Sequence, residues 1–282
     1  MRRHDLNLTT LAFLAGLLVF FSLFLFYPVG RLLRGAFVDA DGFGLRYFGL
    51  LLSSPLHRES LANSFALALL TTAGTTLLSL PLAHWITRYE FRGKTVWSAL
   101  LLLPMVMPPF VGAIGLRQLL SRYGSLNLLL MEAGLIAPDA PIDWLGAGGF
   151  WGIVALQILN LYPIMLLNVS AAMANVDPAL REAAENLGAG PGRLFRTITL
   201  PLILPGWFAG AIIVFIWAFT DLGTPLIFGY SRVVPVQIFD GLNEINTNPM
   251  GYALVVFVLA LTVVLFVVSK YFLARRRYEM IA

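Results

Sequence analysis

The chain contains no cysteine, which excludes disulfides, thiolate metal centres and cysteine nucleophiles together. Histidine is almost as scarce, and His4, His57 and His84 are too scattered to pair on one helix face as an HExxH metal site requires. Charge is low as well: 12% of residues are Asp, Glu, Lys or Arg, against about 25% in a soluble domain. Complete catalytic motifs are missing too. Gly93, Lys94 and Thr95 end like a phosphate loop, but Arg88 stands where that loop needs its first glycine. In the segment from Gly229 to Val233, Val233 replaces the last glycine of a nucleophile elbow. No enzyme is expected. The net charge of +4 is dispersed over loops, so it reads as membrane anchoring and no nucleic-acid partner is expected.

What the chain has in abundance is apolar length. It is 59% hydrophobic with a mean hydropathy of +0.81. Runs of roughly 18 residues or more, enough to cross about 30 Å of hydrocarbon, recur along it. Six are expected to span as helices: Leu11 to Val29, Leu61 to Thr87, Val96 to Leu116, Phe150 to Val176, Trp207 to Phe228 and Met250 to Leu273. The first is longer than the roughly 7 to 15 apolar residues of a signal peptide and reads as a retained helix. Lys and Arg resist translocation. With both termini inside, Arg2, Arg3, Arg88, Arg92, Lys94, Arg181, Arg193, Arg196, Lys270, Arg275, Arg276 and Arg277 face the cytoplasm, 12 of the 19 basic residues, against 7 outside. An N-in, C-in topology is therefore expected. Connections 30–60, 117–149 and 229–249 are external and too short for separate domains, so residues 1–282 read as one membrane domain. SLNLLLMEAGLI, within the second of these, is expected to lie along the external surface.

One polar stretch, REAAENLGAGPGRLFRTITLP at 181–201, falls between two spans on the cytoplasmic side. Asp177 and Pro178 before it make a helix start. Gly188 supplies a left-handed stop about ten residues on, a helix of roughly 15 Å. Ala183, Ala184 and Leu187 form a small apolar face, with Arg181, Glu182 and Glu185 polar. A second short helix is expected from Pro191, carrying Phe195 and Ile198 and stopping before Pro201. A helix, a glycine turn and a helix make a stiff docking lever.

Glu182, Ala183, Ala184, Gly188, Ile198, Leu200 and Pro201 follow the pattern EAA, three residues, G, nine residues, I-x-L-P. In that spacing the stretch resembles the EAA loop of binding-protein-dependent ABC importer permeases. The likeness extends loosely to Asn63 and Ser64 at the start of the second span, to LPLAHWITRYEFRGK and to a proline-rich third span. It implies an all-α, MetI-like type I importer fold in the bacterial inner membrane, with the loop, about 177–206, as a coupling helix seated in an ATPase subunit. Six spans would be half of the pathway. The implied partners are a second permease half, identical or paralogous, two cytoplasmic ATPases that hold ATP and Mg, and an external substrate-binding protein; this chain would bind no cofactor or metal. FTDLGTPLIFG at 219–229 is similar to the matching segment of the ferric-iron branch, whose relatives move polyamines, thiamine, sulfate or phosphonates. Iron(III) is the expected cargo. The rival from another class, an ATP-independent secondary transporter, has no reason to carry an EAA loop.

Within the spans, Gln157, Asn160 and Asp221 are polar at membrane depth, where such groups face a cavity or a partner. Asp221 reads either as lining the path near the outer gate or as a structural partner of a neighbouring helix; for Gln157 and Asn160 the structural reading is preferred. Pro225 is expected to loosen the helix at Asp221. Gly206 and Gly210 read as a close-packing pair.

Overall fold

In the computed structural model, residues 8–39, 42–145, 149–242 and 250–275 are described. Arg2, Arg3, His4, Arg276 and Arg277 lie outside them. Among the described residues the fold is all-α apart from one hairpin of two-residue strands, and the chain divides into two compact units, residues 1–58 with 238–260 and residues 59–237 with 261–282.

In the first unit, α1 (Leu8–Phe21), a π turn (Ser22–Phe26) and α2 (Tyr27–Phe37) form a long apolar helix. The wide turn lets the helix accept Pro28, whose ring would otherwise meet the carbonyl four residues back. None of this helix's most apolar stretch is buried within the chain, so its apolar surface is left for lipid or another chain. The antiparallel pair β1 (Val38–Asp39) and β2 (Gly42–Phe43) then reverses the backbone. Phe37 stacks on Phe43 at 5.6 Å, and α3 (Arg46–Ser53) buries Leu51. Gly35 is glycine for space: a Cβ there would come within 2.6 Å of the Tyr252 ring.

The second unit is built around α8 (Phe150–Ala174), with 56% of its most apolar stretch buried. Most of α4 (Pro55–Arg88) belongs to it, followed by α5 (Lys94–Val106), α6 (Pro109–Leu120) and α7 (Ser125–Glu132). After α8 come α9 (Pro178–Asn186), α10 (Pro191–Leu194), a π turn (Phe195–Thr199), α11 (Leu200–Thr220), α12 (Gly223–Phe228) and the start of α13 (Val234–Leu242). The far end of α14 (Met250–Arg275) also belongs here. The helix expected from Gly206 and Gly210 to pack closely does so: a Cβ at Gly206 would sit 2.5 Å from the Ala172 Cβ, and one at Gly210 3.1 Å from the Asn168 Cβ.

Among the described residues, five helices are long and apolar enough to cross a membrane, or six if one bent pair is counted as a single span. That pair corrects the continuous third span expected over Val96 to Leu116: α5 and the α6–α7 segment meet at 92°. Pro104, Pro108 and Pro109 each lack a backbone donor, and Met107 has already left the helix, with ψ 130°. The fifth expected span is corrected at both ends. Its helix begins at Pro191 and ends at Thr220 rather than running from Trp207 to Phe228. The second short helix does not stop before Pro201, because the π turn carries the Leu200 N–H to the Phe195 carbonyl and so makes room for the proline ring.

Candidate coupling surface and translocation path

The EAA stretch forms an elbow in which every local device has its partner. The Asp177 carboxylate accepts from the Ala179 N–H at 2.9 Å, and Pro178 occupies the first turn. Gly188 has φ +80°, while the N–H groups of Gly188 and Ala189 close back on the carbonyls of Glu185 and Ala184 at 2.9 and 3.0 Å. These two bonds make a Schellman stop. Glu182, Ala183 and Gly188 are exposed, and Ala184 is half-buried. Leu180 and Leu187 flank Ala183 at 50% and 89% exposure, an apolar stripe on the outer side of α9.

The other side of α9 is tethered. Glu185 Oε1 accepts from Arg181 Nε at 3.2 Å and from Arg88 Nη2, at the end of α4, at 3.3 Å. Arg88, expected from the sequence only as an inside-facing anchor, is thus a brace between α4 and the elbow. Ile198, Leu200 and Pro201 are half-buried, with Leu194 and Thr199 buried beside them. The end of the motif therefore roots the elbow in the helical bundle while its start is presented outward.

Gln157 and Asp221 are brought together. Gln157, 3% exposed on α8, receives the Thr71 hydroxyl on Oε1 at 2.9 Å and donates to Asp221 Oδ2 at 3.1 Å. Asp221 Oδ1 accepts from the amides of Gly223 at 3.0 Å and Thr224 at 3.3 Å. Asp221 has left the helix, with ψ 120°, and caps the start of α12. Pro225 accordingly falls in the first turn of a new helix, where its missing donor costs nothing. Asn160 lines the same narrow cleft as Gln157 and Asp221, and also an adjoining apolar cavity of about 150 Å³ against Pro104, Pro108 and Pro109.

The far end of α12 is held as well. Arg117 Nη1 donates to the Ile227 carbonyl, and Gly229, at φ +71°, turns the chain out. The loop that follows is sewn to α4. Asn63 Nδ2 donates to the Arg232 carbonyl at 2.9 Å, the Val234 N–H to Ser64 Oγ at 2.9 Å, and Arg232 Nη1 to both Glu59 oxygens at 2.7 and 2.8 Å. Burial first and the Glu59 charge second push the Tyr230 phenol above its ordinary value, and Glu59 holds the Arg232 guanidinium above its own. Neither Tyr230 nor Arg232 therefore changes charge near neutral pH.

In the expected surface segment, α7 is a short helix with Leu128 and Leu129 exposed. Asn127, fully buried, ties it down: its Nδ2 donates to the carbonyls of Arg122 at 2.9 Å and Ile142 at 2.8 Å, and its Oδ1 accepts from Trp144 Nε1 at 2.9 Å. Sequence reading missed Asn127, Thr71 and Arg117 because their partners lie in other segments.

The family model described as "Binding-protein-dependent transport system inner membrane component" matches residues 75–278. The chain is 29% identical over 268 residues to a putative ferric transport system permease protein of Haemophilus influenzae, covering 93% of this chain and 41% of that one. It is 29% identical over 217 residues to a molybdenum transport system permease protein of Escherichia coli, covering 73% of this chain and 90% of that one. The chain thus spans about two fifths of the ferric relative's length and nearly all of the molybdenum relative's. Its fold matches a bacterial ABC transporter involved in import of the acidic polysaccharide alginate, with a TM-score of 0.73 over 94% of this chain and 95% of that one, at 20% identity. The chain belongs to the binding-protein-dependent transport system inner membrane components.

Proposed function

We propose that the chain is a non-catalytic permease subunit of an ABC importer, forming half of a solute path and taking its drive from ATP hydrolysed, with Mg, on two separate cytoplasmic subunits. The observation that carries this reading is the elbow: a capped, glycine-stopped α9 with Leu180, Glu182, Ala183 and Leu187 turned outward and Glu185 braced to Arg88. Glu182, Ala183, Ala184 and Gly188 form the docked face, while Ile198, Leu200 and Pro201 root it. A second permease half and an external binding protein complete the assembly. Gln157, Asn160 and Asp221 stand at the outer part of the path, with Asp221 holding α12 rather than ligating cargo, since both its oxygens already accept protein donors.

Iron(III) is the proposed cargo, supported by the ferric relative's alignment over 93% of this chain; molybdate is the second reading, supported by a relative aligned over 90% of its own length. Proteoliposomes holding the assembled transporter should take up labelled iron(III) only with the binding protein and internal ATP. Uptake of molybdate instead would replace the cargo, and uptake driven by an ion gradient without ATP would replace the mechanism.

Orientation has its own test, made clean by the absence of native cysteine. In this reading the elbow is cytoplasmic, so a cysteine at the exposed Asn186 reacts with an impermeant maleimide only after permeabilisation, and one at Tyr123 reacts in intact cells. The reverse pattern would invert the topology.

A further inference from the structure

Between the inner end of α4 and the first turns of the Pro191–Thr220 helix lies a crevice of about 560 Å³. This is within the 300–1,000 Å³ range of small-molecule sites. Leu77, Leu80 and Pro81 form one wall, and Leu194 and Phe195 the other. Leu77, at 74% exposure on a helix long and apolar enough to cross a membrane, opens this apolar part sideways. The other end is polar: His84 stands edge-on to Phe195 at 6.1 Å, and Arg88 and the half-exposed Tyr89 close the rim. Arg88 spends Nη2 on Glu185, and the guanidinium fork offers its remaining N–H groups to a second acceptor. The exposed Arg193 and Arg196 flank the wall residues Leu194 and Phe195. Among the described residues, the one acid paired with Arg88, Glu185, is shared with Arg181, so the rim stays cationic.

An apolar slot that opens toward hydrocarbon and ends on a cation matches one chemical class, a membrane amphiphile with an anionic head. A purely apolar guest would leave Arg88 and Tyr89 unused, and a soluble anion would leave the slot unfilled. We propose that this crevice holds an anionic phospholipid, with an acyl chain against Leu80 and Phe195 and its phosphate on Arg88. Basic groups near a membrane surface attract anionic lipid, and the slot adds apolar burial. Because Arg88 also braces Glu185 of α9, the bound phosphate and the elbow share one guanidinium. Lipid occupancy then sets how firmly α9 is held. The site requires only that α4 cross a membrane, whatever the cargo.

Native mass spectrometry of the full chain, delipidated in detergent and offered phosphatidylglycerol or phosphatidylcholine with matched acyl chains, tests this. Wild type should prefer phosphatidylglycerol at least fivefold. Arg88→Gln should abolish the preference, Arg88→Lys should retain part of it, and Leu80→Trp, which fills the slot, should weaken both lipids. Arg92→Gln, an exposed arginine outside the crevice, should change nothing. An equal response to both lipids, a preference that survives Arg88→Gln, or inorganic phosphate competing as well as the lipid would each overturn the proposal. So would exclusion of phosphatidylglycerol from the assembled transporter, which would give the crevice to a protein partner. None of these readouts depends on uptake, so failure here and failure of the importer reading are separable.

Discussion

Gly188→Val is expected to lower coupled uptake at least tenfold while the chain still inserts and pairs. At φ +80° the residue occupies the left-handed region, and a Cβ there would touch nothing within 4 Å. Any effect must therefore come through backbone conformation, not a clash. A non-glycine residue costs about 1–2 kcal/mol in that conformation, and a β-branched one more. The strain is relieved by opening the two bonds that stop α9, from Gly188 to Glu185 and from Ala189 to Ala184. That re-aims the outer face bearing Leu187 relative to the rooted leg at Leu194. Gly190→Ala is the matched control: Gly190 lies at φ −67° with space around it, so alanine fits and function should be unchanged. Glu182→Lys reverses an exposed charge on the docked face without touching the turn, and should weaken ATPase co-purification rather than redirect the elbow. Normal substrate-stimulated hydrolysis and uptake in both Gly188→Val and Glu182→Lys would reduce the elbow to a connecting loop.

The elbow was legible in the sequence because its parts are local. Asp177, Pro178 and Gly188 act within a dozen residues, and each has a fixed conformational preference that no distant contact overrides here. The six apolar runs were legible for the same reason, since length and composition are local quantities. Two of the misread helix limits had signals standing in the sequence. Pro104, Pro108 and Pro109 mark the 92° break, and Asp221 two residues before Gly223 marks a helix start, but in both places apolar residues continue and hydropathy outweighed the backbone signal. The pairings of Thr71 with Gln157 and of Arg88 with Glu185 join residues 86 and 97 positions apart. No periodicity encodes which helices meet, so single-sequence reasoning could mark Gln157 as needing a partner without naming Thr71.

The second large effect is expected at Asp221. Its Oδ1 holds the first amides of α12 and its Oδ2 holds Gln157, while Arg117 holds the carbonyl of Ile227 near the other end of α12. Such a helix, six residues long, has too few internal bonds to persist unaided. Asp221→Ala removes the cap and leaves Gln157 Nε2 with only the 3.4 Å contact to the Ala218 carbonyl. A loss of about 2 kcal/mol is expected from the unmet donors, roughly a thirtyfold rise in the undocked population of α12, and uptake should fall by at least tenfold with assembly intact. Asp221→Asn separates geometry from charge. The asparagine oxygen can still accept from Gly223 and Thr224, so a capping role predicts that Asn retains most of the activity lost in Ala. Gln157→Leu strands both Thr71 and Asp221 Oδ2, and should resemble Asp221→Ala rather than Asp221→Asn. If Asn fails as badly as Ala while Gln157→Leu transports normally, the negative charge itself is what the path uses, and Asp221 faces the cargo in some state of the cycle.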